Sequence, residues 1–230
     1  MRRMEIEMNN DVRSLSRPIV RRAFRVVAAL LVLVVVPVAT VRAQDRLPPI
    51  PVEKMSEEQK KAVTEYKGLR NTDPAGPPWS VILRVPDWLV PALQMRLHVA
   101  NRPVLGNRLT EFAILIAARE WTNHYEWNAH HNAATQAGLS PAIIAAVADG
   151  RRPDRMAEDE EILYDLCTEL LRNRSVSDPT YARALAKFGE AGVVEAASIE
   201  GYYSYLAMVM NTARSPLPAG AKSQLMPFPR

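Results

Sequence analysis

The stretch Leu109-Thr110-Glu111-Phe112-Ala113-Ile114-Leu115-Ile116-Ala117-Ala118-Arg119-Glu120 decides the fold, together with its continuation Trp121-Thr122-Asn123-His124-Tyr125-Glu126-Trp127-Asn128-Ala129-His130-His131. Leu109, Phe112, Ala113 and Ile116 recur at helical spacing, so a helix runs to Glu120, with Asn107 as its candidate cap. Asn123 with Glu126 is a capping-box pattern and opens a second helix, which Gly138 stops just past Ala137. A turn at Trp121 to Asn123 separates the two. No alternating strand pattern interrupts them.

Three of the chain's four histidines, His124, His130 and His131, fall inside this stretch. Glu126 and His130 are an i, i+4 pair and share one helix face. A carboxylate beside an imidazole fixes its tautomer and raises its basicity, which suits general acid–base work near neutral pH. Glu111 stands in an otherwise apolar segment, where a carboxylate is costly to bury without a partner. On one straight helix it would lie ~28 Å from His130, so a joint site requires the turn at 121–123. Two readings stay open here. Glu126 is either the His130 partner or only the N3 residue of its capping box. His130 is either a reactive group or a satisfied core histidine. Trp121 and Trp127 read first as core packing, with substrate stacking the alternative at Trp127.

Further helices flank this pair. Ser56 with Gln59 opens one to about Lys67. Asn71 to Pro78 is a turn-rich loop. Pro86 to Ala100 carries a stripe through Leu89, Val90, Leu93, Leu97 and Ala100. Ser140-Pro141 opens another helix with proline at its first position. Glu158 to Leu171 is amphipathic through Ile162, Leu163, Leu166 and Leu170. Asp178-Pro179 opens the next, and Val193 to Asn211 is a long apolar helix. The fold class is therefore all-α, a bundle of about seven or eight helices.

The chain has 230 residues, 48% of them hydrophobic and 23% charged, an ordinary globular composition. Residues 1–43 read as a signal peptide. Arg21, Arg22 and Arg25 precede the apolar run Val26 to Val36, and Val41-Arg42-Ala43 forms a cleavage site before Gln44. Arg21-Arg22-Ala23-Phe24 also fits a twin-arginine signal. The apolar run has 11 residues, short of the ~20 of a spanning helix. Eight arginines against three acids give this leader +5, which leaves the other 187 residues at −1 of the total +4. The mature chain thus lacks the basic field of a nucleic-acid binder. Its expected location is the periplasm or the exterior, with no membrane role after cleavage. Residues 44–54 read as a Pro-rich linker, 55–213 as the helical domain and 214–230 as a Pro-rich tail.

The single cysteine, Cys167, excludes an intrachain disulfide, a Cys-x-x-Cys pair and a multi-cysteine metal site. Set amid Leu166 and Leu170, it reads as a buried small hydrophobe. His124 and His131 lack the His-x-x-x-His spacing, and no protein-bound metal is expected.

The strings Leu109 to Leu115, Tyr125-Glu126-Trp127-x-x-His130 and Ala137-Gly138-Leu139-Ser140 resemble the carboxymuconolactone decarboxylase family, within the AhpD-like superfamily. The resemblance covers about residues 79–212, including Phe188-Gly189, Val193-Val194-Glu195 and Gly201-Tyr202-Tyr203. It implies an AhpD-like helical bundle, a homo-oligomer (trimer or hexamer), and a site with Glu111 and His130 near the subunit interface. In the peroxidase branch a Cys-x-x-Cys precedes the histidine. Asn123 and Glu126 stand at those positions here, so thiol-based peroxide reduction loses both sulfurs. The decarboxylase branch uses no metal or organic cofactor. It implies loss of CO2 from a small carboxylated lactone, with His130 as general acid/base, Glu126 as its orienter or proton partner and Glu111 as a second carboxylate. His131 or Arg119 is the candidate holder of a substrate carboxylate. The export leader sits awkwardly with catabolism of aromatic rings, which is expected in the cytoplasm. A binding protein that keeps the fold without the reaction is the remaining alternative.

Overall fold

A computed structural model describes residues 45–101, 103–222 and 224–226. The leader, its twin-arginine pattern and the cleavage site lie outside the described residues. Among those described there are eight α-helices, one short 3-10 turn (Val52–Lys54) and no strand. The helices are α1 Glu57–Arg70, α2 Trp79–Ile82, α3 Pro86–Asn101, α4 Gly106–Glu120, α5 His124–Gln136, α6 Pro141–Ala148, α7 Glu158–Asn173 and α8 Asp178–Ala213. None of them is long and apolar enough to cross a membrane.

Helix α4 is the axis of the bundle. Phe112 to Ala118 are all buried, and α5, α6, α7 and α8 pack around them. A helix apolar on every side has to be surrounded, because each large side chain it carries gains ~1.5–3 kcal/mol by leaving water. The chemistry-bearing residues of α4 therefore sit at its ends or face a gap between neighbours.

The helix starts and stops follow the local signals with one clear exception. Ser56 and Gln59 form the complete capping box, and Ser140 caps α6 ahead of Pro141. Gly138, at φ +93°, ends α5 through hydrogen bonds from the Gly138 and Leu139 amides to Thr135 and Ala134. Asn107, however, does not cap α4. That role falls to Glu195 of α8, whose carboxylate accepts the amides of Val104 (2.9 Å) and Leu105 (2.7 Å). A carboxylate at a helix start also meets the positive end of the helix dipole, an attraction a neutral asparagine lacks. Gly106, at φ +76°, supplies the left-handed turn that leads the chain in.

Helix α3 buries a different stripe from the one its periodicity indicates. Leu89 and Leu93 are buried, but they are joined by Ala92 and Val99 rather than by Val90, Leu97 and Ala100. The stripe is turned toward α8, where the Tyr202 hydroxyl donates to the Ala92 carbonyl (2.8 Å). Arg96 lies on this side, one turn from both Ala92 and Val99. Helix α8 is broken at Gly189 (φ +67°, ψ 176°), which separates the helix opened by Asp178-Pro179 from the long apolar one. Near the end of the chain Leu225, 3% exposed, packs into the core.

Candidate functional site

The turn between α4 and α5 brings Glu111 and His130 together. Thr122 takes a left-handed conformation (φ +45°), and the Thr122 and Asn123 amides donate back to Arg119 and Ala118. Asn123 then fastens the turn. Its Oδ1 accepts the Glu126 amide (2.8 Å), and its Nδ2 donates to Asn211 of α8 (2.9 Å). Asn211 in turn donates to the Trp121 carbonyl (2.9 Å). With α5 folded back along α4, His130 Nδ1 lies 2.8 Å from Glu111 Oε2.

Only half of the capping box at 123–126 forms. The Asn123 amide is committed to Ala118, so the Glu126 side chain is free of the cap and turns along the helix to His130. Its Oε2 lies 3.5 Å from His130 Nε2, within ion-pair range but beyond an ordinary hydrogen bond. Glu126 is 4% exposed. Burial, the largest influence, pushes its carboxyl above the usual range; Glu111 adds to this, while His130 and Arg96 pull it down. A buried carboxyl that holds its proton more readily than usual can pass that proton to an imidazole beside it. The imidazole is bracketed by two carboxylates, one in hydrogen-bond contact and one set back. Tyr203 closes the edge, its ring at 87° to His130 with centroids 5.2 Å apart.

Glu111 and His130 line a cavity of about 300 Å³ between α3, α4, α5 and α8. Its other walls are Arg96, Val99 and Ala100 of α3, Asn107, Thr110 and Ile114 of α4, Ala133, Gln136 and Ala137 of α5, and Tyr203 of α8. Glu126 stands behind His130, outside the cavity lining.

The other three candidates are not brought to this cavity. Arg119 is buried and donates to the Met226 carbonyl (2.6 Å). The Trp127 indole, 2% exposed, donates to Gln224 Oε1 (3.1 Å). His131 Nδ1 faces the Trp127 carbonyl (3.2 Å), and its Nε2 lies 3.0 Å from Gln224 Nε2. All three meet the C-terminal tail instead. The helical repeat explains this: neighbours in sequence are turned ~100° apart, so His131 leaves the cavity when His130 faces it. Arg119 is two turns beyond Glu111 and rotated off its face. Periodicity alone missed the rest of the lining as site residues, Arg96, Thr110 and Tyr203 among them. The signal for Arg96 was present, since a cation spaced i+4 from Ala92 and i−3 from Val99 belongs to the buried stripe.

Among the described residues no group of three or more His, Cys, Asp or Glu side chains forms a metal-holding set. Cys167 is buried away from the cavity against Glu200, and burial raises its thiol well above the usual value. Compared with protein-family models, with curated proteins and with solved structures, the chain finds no match.

Proposed function

We propose that this protein is a cofactor-free acid–base enzyme of the carboxymuconolactone decarboxylase kind, acting on a small carboxylated substrate or a related lactone. The observation that carries the reading is the 2.8 Å contact between Glu111 and His130 on the wall of a cavity. In this scheme the substrate C–C bond to the carboxylate breaks and CO2 leaves. The electron pair left behind delocalises into the unsaturated ring carbonyl. His130 then gives a proton to carbon, with Glu111 holding its Nδ1, and the Glu126 carboxyl returns a proton to the imidazole. A thiol peroxidase reading has less support. Asn123 and Glu126 occupy the positions of the peroxidase cysteines, and the Cys167 thiolate is disfavoured by burial.

The same proposal places the mature chain outside the cytoplasm, from its leader, and has it assemble with copies of itself, from the resemblance. Cell fractionation and light scattering test these two points.

The deciding assay is CO2 release from 4-carboxymuconolactone by residues 44–230, beside His130→Ala. Turnover that disappears in the variant supports the reading. A folded protein that releases no CO2, or a variant that releases as much as wild type, removes it and leaves small-molecule binding.

A further inference from the structure

Two hydroxyls on the cavity wall, Thr110 Oγ1 and Tyr203 OH, are buried and have no protein hydrogen-bond partner among the described residues. Thr110 is 4% exposed and Tyr203 1%. Leaving such a group without a partner is costly, so a ligand that supplies one is favoured. The two residues line the cavity, whose one arginine, Arg96, has no carboxylate within ion-pair distance among the described residues. The phenol of Tyr203 feels the charge of Arg96 as well as that of Glu126 and Glu111. Burial first, then the two carboxylates, keep that phenol protonated and hence a hydrogen-bond donor.

We propose that Arg96, Tyr203 and Thr110 form the receiving site for the carboxylate of a small organic acid, with Val99 and Ile114 against its carbon skeleton. A guanidinium fork matches a carboxylate in shape and charge, and two neutral hydroxyls can donate to the same oxygens. The anion has a defined place. Glu111 beside His130 repels negative charge there, so the carboxylate is drawn to Arg96. The carbon skeleton is then left beside the imidazole. This assignment rests on the reaction proposed for the same cavity, and it replaces Arg119 and His131 as anion holders.

The test is binding of benzoate and its neutral counterpart benzamide to the purified protein, followed by calorimetry or by chemical shift. Wild type binds benzoate about tenfold or more tightly than benzamide, the scale of one charge-assisted contact. Arg96→Gln abolishes that preference, and Arg96→Lys keeps part of it. Tyr203→Phe weakens benzoate several-fold and leaves benzamide unchanged. Melting curves establish that each variant is folded. Equal binding of the two probes, no binding of benzoate, or a preference that survives Arg96→Gln overturns the site. His130→Gln separates the two proposals, because it stops CO2 release yet keeps the benzoate preference. A benzoate preference dependent on Arg96, in a protein that releases no CO2, retires the decarboxylation and leaves the anion site standing.

Discussion

His130 is held unequally by its two carboxylates: Glu111 Oε2 is 2.8 Å from Nδ1, and Glu126 Oε2 is 3.5 Å from Nε2. The nearer carboxylate comes from the preceding helix and the farther one from the histidine's own helix. The difference assigns them different work. On the proposed reaction Glu111 fixes the ring, and Glu126, buried behind it, stores a proton.

On the proposed reaction, His130→Ala lowers CO2 release by about 100-fold or more, the usual contribution of a positioned acid or base. Glu111→Gln lowers kcat about tenfold with a smaller change in KM, since an amide can still accept from Nδ1 but carries no charge. Steady-state kinetics of the two variants decide the point. Equal kcat in Glu111→Gln and wild type would mean that the contact does not serve the reaction.

Glu200 gives a pH-dependent stability. It is buried, and burial pushes its carboxyl up to about 8, against a lowering by the Cys167 thiol. Unfolded, it titrates near its ordinary value of 4.5. Between these limits the folded state holds a proton that the unfolded state has lost. Stability therefore falls as pH rises across that window, by up to ~1.4 kcal/mol per pH unit from this group, and levels off above it. Urea unfolding at several pH values shows a shallower decline for Glu200→Gln than for wild type. Parallel curves would falsify this account of Glu200.

Asn123→Ala removes both the α5 cap and the bond to Asn211. The expected loss is about 2 kcal/mol, about half from the cap and half from the side-chain bond. Asn123→Ser, which can still accept the Glu126 amide, recovers the cap share. Denaturant midpoints of the three proteins read this directly. A loss in Asn123→Ala no larger than in Asn123→Ser would show that the cap contributes nothing, and an Asn123→Ser variant as stable as wild type would show the same of the tie to α8.

Residues 224 and 225 pack against the folded body. Leu225 is 3% exposed, and Gln224 holds the Trp127 indole at 3.1 Å. Leu225→Ala costs about 2 kcal/mol, at the low end for a buried leucine because a chain end relaxes around the gap. Tryptophan emission shifts to the red as the Trp127 indole is wetted. An unchanged melting temperature would place this segment outside the cooperative fold.

Local signals carried most of the helical reading. The caps at Ser56 and Ser140, the stops at Gly138 and the elbow at 121–123 involve residues within a few positions of one another, so a sequence displays them. The pairing of Glu111 with His130 was reachable because that elbow has one sensible outcome: it returns α5 along α4. The cap of α4 was not reachable, since Glu195 lies some ninety residues from the amides it receives. Trp127 is buried in the core, as its first reading had it, while Arg119, His131 and the stacking alternative at Trp127 lie away from the cavity for the same reason. Their polar groups were visible, but their partners belong to a tail that returns from the far end of the chain. Arg96 was hidden by a stripe read one position off, which placed Leu97 inward and the arginine outward.

One stretch of α8 carries three separate duties: Glu195 caps α4, Tyr203 walls the cavity and Asn211 locks the elbow. They follow one another at eight-residue intervals, ~12 Å apart along the axis. The helix thus acts as a ruler, setting where α4 begins, where it ends and how wide the gap beside it is. Such a ruler cannot slide without breaking all three marks at once. Amide protons lining the cavity should therefore exchange only through opening of the whole bundle, as one foldon, and not through a private loosening of the site.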